Sequence, residues 1–277
     1  MEHAYSQVDV FTSTALLGNP LAVVHDAAGL SDAQMQAFAR WTQLSETTYV
    51  LPPTEPGADY RVRIFTPAGE LPFAGHPTLG TCHAWLLEGG RPRDPLQIVQ
   101  QCGVGLVRIR RDRERLAFAA PAMRRRDVSG GEIEPVLGAL GLARAQVLDA
   151  QWLDNGPTWL GLLLDGAATV LALEPDHRRM ERLAKVGVIG AHPRGAPAHF
   201  EVRAFAASIG VAEDPVTGSL NASLAQWLMA QRRAPASYRV CQGTRLARAG
   251  EVHLDCLDEQ VWVGGASVRC ISGVVSL

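Results

Sequence analysis

The sequence predicts an α+β protein made of two similar halves, and three observations carry that prediction. The chain has 277 residues, more than one hydrophobic core usually serves, so two domains of ordinary size are expected. Strand-like and helix-like stretches occur in similar measure in both halves. The halves also match at one place: Glu70-Leu71-Pro72-Phe73-Ala74-Gly75-His76 aligns without a gap against Glu213-Asp214-Pro215-Val216-Thr217-Gly218-Ser219. Both read E-x-P-x-x-G-[HS], and both open an apolar helical stretch. Upstream, Arg63-Ile64-Phe65 answers Arg203-Ala204-Phe205. A duplicated domain accounts for this more economically than coincidence.

In the first half, Gln7 to Phe11 alternates like a strand, and Gly18-Asn19-Pro20 is turn chemistry leading into a strand at Leu21 to Val24. Ser31 and Gln34 form a capping-box pattern ahead of Met35, Phe38 and Ala39 at helical spacing. Strands are predicted over Thr47–Leu51 and Tyr60–Phe65, then a helix from His76 to Leu87 ended by Gly89-Gly90. Further strands fit Gln97–Gln101, Gly105–Ile109 and Leu116–Ala119. In the second half, helices are predicted over Glu132–Leu140, Pro175–Lys185 and Ser219–Ala230, with strands at Thr158–Leu164, Phe200–Phe205, Val252–Leu254 and Gln260–Val263. The domains are expected at 1–122 and 130–265, joined by a linker around Pro121 to Gly131, with the tail 266–277 returning to the first as strand.

Composition removes several classes of function. Hydrophobic residues make up 47% and charged residues 19%, with a formal charge of −2, a globular balance with no basic stripe for nucleic acid. No apolar run reaches the roughly 18 residues of a membrane span, and the N-terminus has no secretory pattern, so a cytoplasmic protein is expected. The five cysteines are odd in number and scattered, without the spacing of a disulfide frame or a zinc site. Lys185 is the sole lysine among 26 basic residues, and it reads as the polar face near a helix C-terminus, unsuited to Schiff-base chemistry. His83 lies about two helical turns from His76, too far to share a metal ion with it, and His192 and His199 suggest no ligand spacing. No metal is expected.

The two matched loops carry the candidate site. Proline stiffens the incoming chain, glycine allows a close approach of backbone to a ligand, and the first helical turn leaves unpaired N–H groups. Those donors and the positive end of the helix dipole attract carboxylates and other anions. Ser219 and Asp214 also suit plain helix capping, but a pair of matched loops is better explained as two helix N-termini facing one cleft. His76, in the place of Ser219, has a side chain that titrates near neutrality and suits general acid–base work, as well as a purely structural role. Glu46 enters the apolar, β-branched stretch Thr47-Thr48-Tyr49-Val50-Leu51. Partial burial there would raise its carboxyl toward neutrality. Strand alternation leaves open whether it points inward or into solvent.

These residues, together with Val8-Asp9-Val10-Phe11-Thr12, Gly18-Asn19-Pro20-Leu21-Ala22-Val23-Val24, Leu44-Ser45-Glu46-Thr47, Pro77-Thr78-Leu79-Gly80, Gly210-Val211-Ala212 and Val263-Gly264-Gly265, resemble the PhzF-like phenazine-biosynthesis isomerases, which have the diaminopimelate-epimerase fold. The resemblance implies two pseudo-symmetric, barrel-like domains, each a curled, mainly antiparallel sheet around a central helix. It implies a homodimer that uses no cofactor and binds a small anionic substrate, with Glu46 as the proton-transferring acid–base. His76, Asp214 and Ser219 would bind substrate or assist the transfer, Gly75 and Gly218 would donate backbone N–H groups, and Asn155 of Asn155-Gly156-Pro157 loosely matches a substrate-contacting turn. Racemases of this fold place cysteines just before the paired glycines. Ala74 and Thr217 stand there in this chain, so a two-thiol mechanism is closed to it. Pro77 and Leu220 replace a common alanine.

The expected reaction is therefore a one-base isomerisation, in which Glu46 moves a proton between carbons of a dihydro-hydroxyanthranilate-like or related amino or hydroxy acid. The alternatives are a racemase or epimerase of a small amino acid, and a non-catalytic binding or adaptor protein that kept the fold.

Overall fold

The computed structural model describes residues 1–112 and 115–277. In chain order the elements are β1 (Glu2–Val10), β2 (Asn19–Val24), α1 (Asp32–Thr42), β3 (Thr47–Leu51), β4 (Tyr60–Phe65), β5 (Glu70–Leu71), α2 (Gly75–Leu87), β6 (Gln97–Cys102), β7 (Gly105–Asp112), β8 (Arg115–Ala119) and β9 (Arg124–Asp127). There follow α3 (Gly130–Leu140), β10 (Val147–Asp154), β11 (Thr158–Leu164), α4 (Ala167–Ala172), α5 (His177–Met180), β12 (Val186–Ala191), β13 (Phe200–Ala206) and β14 (Val211–Asp214). The chain closes with α6 (Gly218–Ala230), β15 (Ser237–Gln242), β16 (Gly250–Leu257), β17 (Gln260–Gly265) and β18 (Ser267–Ser276). Two compact units result, one of Met1–Ala119 with Gly264–Leu277 and one of Ala120–Val263. Among the described residues no helix is long and apolar enough to cross a membrane.

The first unit is a mixed sheet. β18 and β2 flank β1 in antiparallel register, β2 runs parallel to β3, and β4 pairs antiparallel with β3. β5 and β6 share the other edge of β4, and β6, β7 and β8 form a meander. Parallel neighbours need a crossover, which α1 supplies between β2 and β3. Its N-terminus is fixed by the Ser31–Gln34 capping box predicted from the sequence. Helix α2 contacts β1, β2, β3, β8 and β18, strands from both ends of this order. The sheet thus curls round the helix, yet no pairing of β8 with β18 closes it among the described residues. The curled sheet around a central helix is as expected, and it is mixed and open.

Because α2 is enclosed, it is apolar all round instead of striped. Its residues from Gly75 to Cys82 are all buried. Gly80 permits the enclosure: a Cβ there would lie 2.7 Å from side-chain carbons of both Leu21 and Val10.

The second unit repeats the strand pairing of the first, with α3 added between β9 and β10 and two short helices in the place of α1. β9 and β11 flank β10 antiparallel, β11 runs parallel to β12 across α4 and α5, and β12 pairs antiparallel with β13. β14 and β15 share the far edge of β13, antiparallel and parallel respectively, and β16 turns back on β15. Helix α6 holds the position of α2 and is equally enclosed. The stretch read as a linker therefore contains a strand, β9, whose charges Arg124, Arg125, Arg126 and Asp127 are all exposed. Such charges protect an edge from pairing with other chains.

One sequence expectation fails here. Pro175–Lys185 does not form a helix; its only helical turn is His177–Met180. Met180 alone anchors that turn in the core, too little apolar surface to hold three turns. Lys185 consequently lies just before β12, half-buried, with its ammonium 5.1 Å from the centre of the Trp159 ring. It is not on a helix surface.

The duplicated motif has a physical counterpart. Arg63 of β4 grips Glu70 through two parallel bonds of 2.7 Å, and Arg203 of β13 grips Glu213 through bonds of 3.0 and 2.8 Å. Each guanidinium lies 5.0 Å from the ring of the phenylalanine two residues on, Phe65 or Phe205. The two forks hold the short strands that feed the loops before α2 and α6. Their surroundings differ: Arg203 and Glu213 are 4% and 6% exposed, whereas Arg63 and Glu70 are 18% and 42% exposed. Arg203 also donates to the carbonyls of Val170 and Leu173. Removing one member of a buried pair strands its partner's charge, whereas an exposed pair is worth little. Arg203→Met is therefore expected to lower unfolding stability by about 3–5 kcal/mol, and Arg63→Met by ~1 kcal/mol or less. Denaturant melts of the two variants test this, and equal losses would contradict it.

Candidate active site

In the first unit the site grows from the ends of β2, α1 and α2. Helix α1 stops at Thr42, with Gln43 in the left-handed region at φ 56°. The Thr42 hydroxyl lies 3.1 Å from that of Thr47, the first residue of β3. This short turn places Glu46 immediately before a buried strand. Its side chain is only 15% exposed, and its Oε2 lies 3.2 Å from Nε2 of His76. Burial pushes the Glu46 carboxyl up to about 7, and a contact with Ser45 works in the other direction. The question left open by strand alternation is settled: Glu46 points inward.

His76 is the second residue of α2 and its side chain is 6% exposed. The preceding Ala74 is the N-cap and has no side chain to cap the helix. Gly75 supplies the first amide of α2, one with no acceptor inside the helix, and Pro77 has no N–H to satisfy. Below this turn runs a buried polar chain. The Tyr60 hydroxyl donates to Gln100, the Gln100 amide to Thr78, and the Thr78 hydroxyl to the carbonyl of Ala74. It fixes where the helix begins.

The structure adds a residue that the sequence reading took only as part of a turn. Asn19 starts β2, opposite Val10, is 1% exposed, and brings its Nδ2 to 3.4 Å from Nδ1 of His76. The turn before it is tight. Gly18 N–H donates to Asp9 Oδ2 at 3.2 Å, and a Cβ at Gly18 would meet the Val10 carbonyl at 2.5 Å. The signal in the sequence was a polar residue between glycine and proline at the mouth of a buried strand.

In the second unit, Asp214 ends β14 and accepts a 2.5 Å hydrogen bond from the Thr217 hydroxyl. Gln242 braces the loop. Its Oε1 accepts from Thr217 N–H and from Asn221, and its Nε2 donates to the Asp214 carbonyl and the Thr217 hydroxyl. Gly218 begins α6, as Gly75 begins α2. Asn155 donates to the Ser219 carbonyl at 2.9 Å, and Trp159 Nε1 reaches the Ser219 hydroxyl at 3.3 Å. The predicted residues thus fall into two groups: Glu46, His76 and Gly75 in the first unit, and Asp214, Gly218, Ser219 and Asn155 in the second. Gln242 and Trp159, which with Thr217 order the second group, carried no sequence signal, because glutamine and tryptophan at those spacings equally suit core positions.

Thiol chemistry finds no place at either helix start. Cys82 lies on α2 among the fully buried residues, and burial pushes its thiol up to about 12, far from the thiolate a base would need.

The family described as PhzC-PhzF, phenazine biosynthesis-like protein, matches residues 8–273. The chain is 38% identical to antisense-enhancing sequence 1 of Schizosaccharomyces pombe, over 98% of each chain. It is 35% identical to trans-2,3-dihydro-3-hydroxyanthranilate isomerase of Pseudomonas aeruginosa, over 91% of this chain and 89% of that one. Among solved structures, a PhzF-family phenazine biosynthesis protein of Bacillus anthracis superposes over the whole of both chains with a TM-score of 0.87 at 22% identity, which speaks for a common fold.

The raised Glu46 carboxyl has a measurable thermodynamic consequence. It binds its proton more tightly in the folded chain than in the unfolded one. The stability contributed by the neutral carboxyl is therefore lost as pH rises from the ordinary 4.5 to about 7. Glu46→Gln, which stays neutral, is expected to gain on the wild type by on the order of 2–3 kcal/mol between those limits. Denaturant midpoints measured below and above that window read the difference. A constant difference across it would mean the carboxyl is ordinary.

Proposed function

We propose, from the premise that the chain belongs to the PhzC-PhzF family of phenazine-biosynthesis-like proteins, that Glu46 is the acid–base of a one-base isomerisation. The observation that carries this reading is a carboxyl shielded from water beside His76 and raised to about 7. A group with that affinity is divided between base and acid at neutral pH, the condition under which it both takes and returns a proton efficiently. As carboxylate, Glu46 removes a proton from an activated carbon of the substrate. It then holds that proton, shielded from solvent, and delivers it to a second carbon.

The substrate is a small carboxylate-bearing amino or hydroxy acid. By analogy with the Pseudomonas aeruginosa relative, trans-2,3-dihydro-3-hydroxyanthranilate is the first compound to test. The amides of Gly75 and Gly218 and the Ser219 hydroxyl hold negative charge, Asp214 accepts from an amino or hydroxyl group, and Asn155 orients the Ser219 backbone. The enzyme works as a homodimer without a cofactor. A two-base racemisation is disfavoured, since Ala74 and Thr217 offer no base and Cys82 is buried with its thiol up to about 12.

Glu46→Gln is expected to lower kcat by about 10³-fold or more while leaving ligand affinity within a few-fold. Substrate deuterated at the abstracted carbon is expected to react more slowly and to leave part of its label on the new carbon, since one carboxyl carries the same hydrogen. Wild-type kcat/KM is expected to rise with pH through about 7 and then level off, as the free carboxyl ionises. Full activity of Glu46→Gln would overturn the proposal. Ser219→Ala and Asp214→Asn are expected to raise KM or lower kcat by about tenfold or more.

A further inference from the structure

The contact between Asn19 and His76 fixes more than the position of a ring. An amide NH2 has hydrogens to give and no lone pair available to accept. With Asn19 Nδ2 at 3.4 Å from His76 Nδ1, the ring nitrogen on that side must accept. In a neutral imidazole the second nitrogen then carries the hydrogen, and that nitrogen, Nε2, is the one 3.2 Å from Glu46 Oε2. Both groups are held. Asn19 is pinned by its pairing with Val10 and by the Gly18–Asp9 bond, and His76 by the first turn of α2.

We propose that Asn19 is a positioning residue that holds the neutral His76 ring with its hydrogen on Nε2, so that the edge of the ring 3.2 Å from Glu46 carries a hydrogen and never a lone pair. The consequence rests on Glu46 being the acid–base. A histidine free to change tautomer would accept a hydrogen bond from protonated Glu46 and keep the acid's hydrogen turned toward itself. A ring locked as donor stabilises the carboxylate and leaves the hydrogen of the acid form to point elsewhere, where a substrate carbon can receive it. The other titratable groups on elements packed against α2 are engaged away from this contact. On β1, Asp9 accepts from Gly18, His3 bonds the Asp26 carbonyl, Tyr5 donates to Gln7 and Glu2 is exposed at the strand start; Tyr49 on β3 donates to the Met35 carbonyl, Arg269 and Cys270 on β18 bond Glu88 and the Val268 carbonyl, Arg115 on β8 pairs with Asp112, and Cys82 and His83 lie about two turns along the helix.

Nitrogen-15 spectra of histidine-labelled protein distinguish the two tautomers directly. The His76 ring is assigned by its absence in His76→Gln. At about pH 8, where an ordinary ring is neutral, the wild type is expected to show a protonated Nε2 and a bare Nδ1, and Asn19→Leu a mixture of tautomers. In Asn19→Leu the acidic limb of kcat/KM is further expected to move to higher pH by ~1 unit, because protonated Glu46 gains a partner. A wild-type ring protonated at Nδ1 or averaged between tautomers overturns the proposal, as does an unchanged ring in a folded Asn19→Leu. The spectrum does not depend on turnover. Failure of Glu46 as the acid–base would appear in the Glu46→Gln kinetics, and failure of the tautomer lock would appear here.

Discussion

A helix enclosed by a sheet must begin inside the protein, and its first amides then have neither water nor a preceding turn to bond to. That constraint governs each unit of this isomerase. It explains why α2 and α6 are apolar all round, why each starts at a glycine, and why buried polar side chains gather beneath each start. At α2 the chain of Tyr60, Gln100 and Thr78 ends on the Ala74 carbonyl, and at α6 Gln242 accepts from the Thr217 amide and from Asn221. A buried polar group without a bond costs about 1–3 kcal/mol, so these networks are required by the fold before any chemistry is considered.

The duplication shows how such a frame diverges. Both copies keep the same order of parallel and antiparallel neighbours and the same arginine–glutamate fork ahead of the helix. Yet the copies differ in the opening turn of the enclosed helix. The first puts an imidazole in the opening turn and brings a carboxyl against it; the second puts a serine there and an aspartate three residues before its N-terminal threonine in the chain. The fork itself has moved from a half-exposed to a buried setting, which changes its energetic weight without changing its geometry.

Shielding decides the character of Glu46. A carboxyl in water would be almost wholly ionised at neutral pH and a poor acid; fully buried without partners it would be permanently neutral and no base. Its place at the mouth of β3, next to a histidine and a serine, lies between these limits. The side chain of Asn19 enters here, because the polarity of the histidine toward Glu46 is set from the far side of the ring.

Local order was legible from sequence alone. The alternation in Thr47–Leu51 and Tyr60–Phe65 located β3 and β4, the serine–glutamine box located the start of α1, and the repeated E-x-P-x-x-G announced two equivalent helix starts, because each of these is a property of neighbours in the chain. Pro175–Lys185 misled because helical composition is not enough where little apolar surface meets the core. The inward turn of Glu46, the fork from Arg203 to Glu213 and the meeting of Asn19 with His76 depend on strand pairing between distant segments. Nothing in the chain near those residues encodes it: period-two alternation allows either face, and only the packing of the sheet around the helix chooses one.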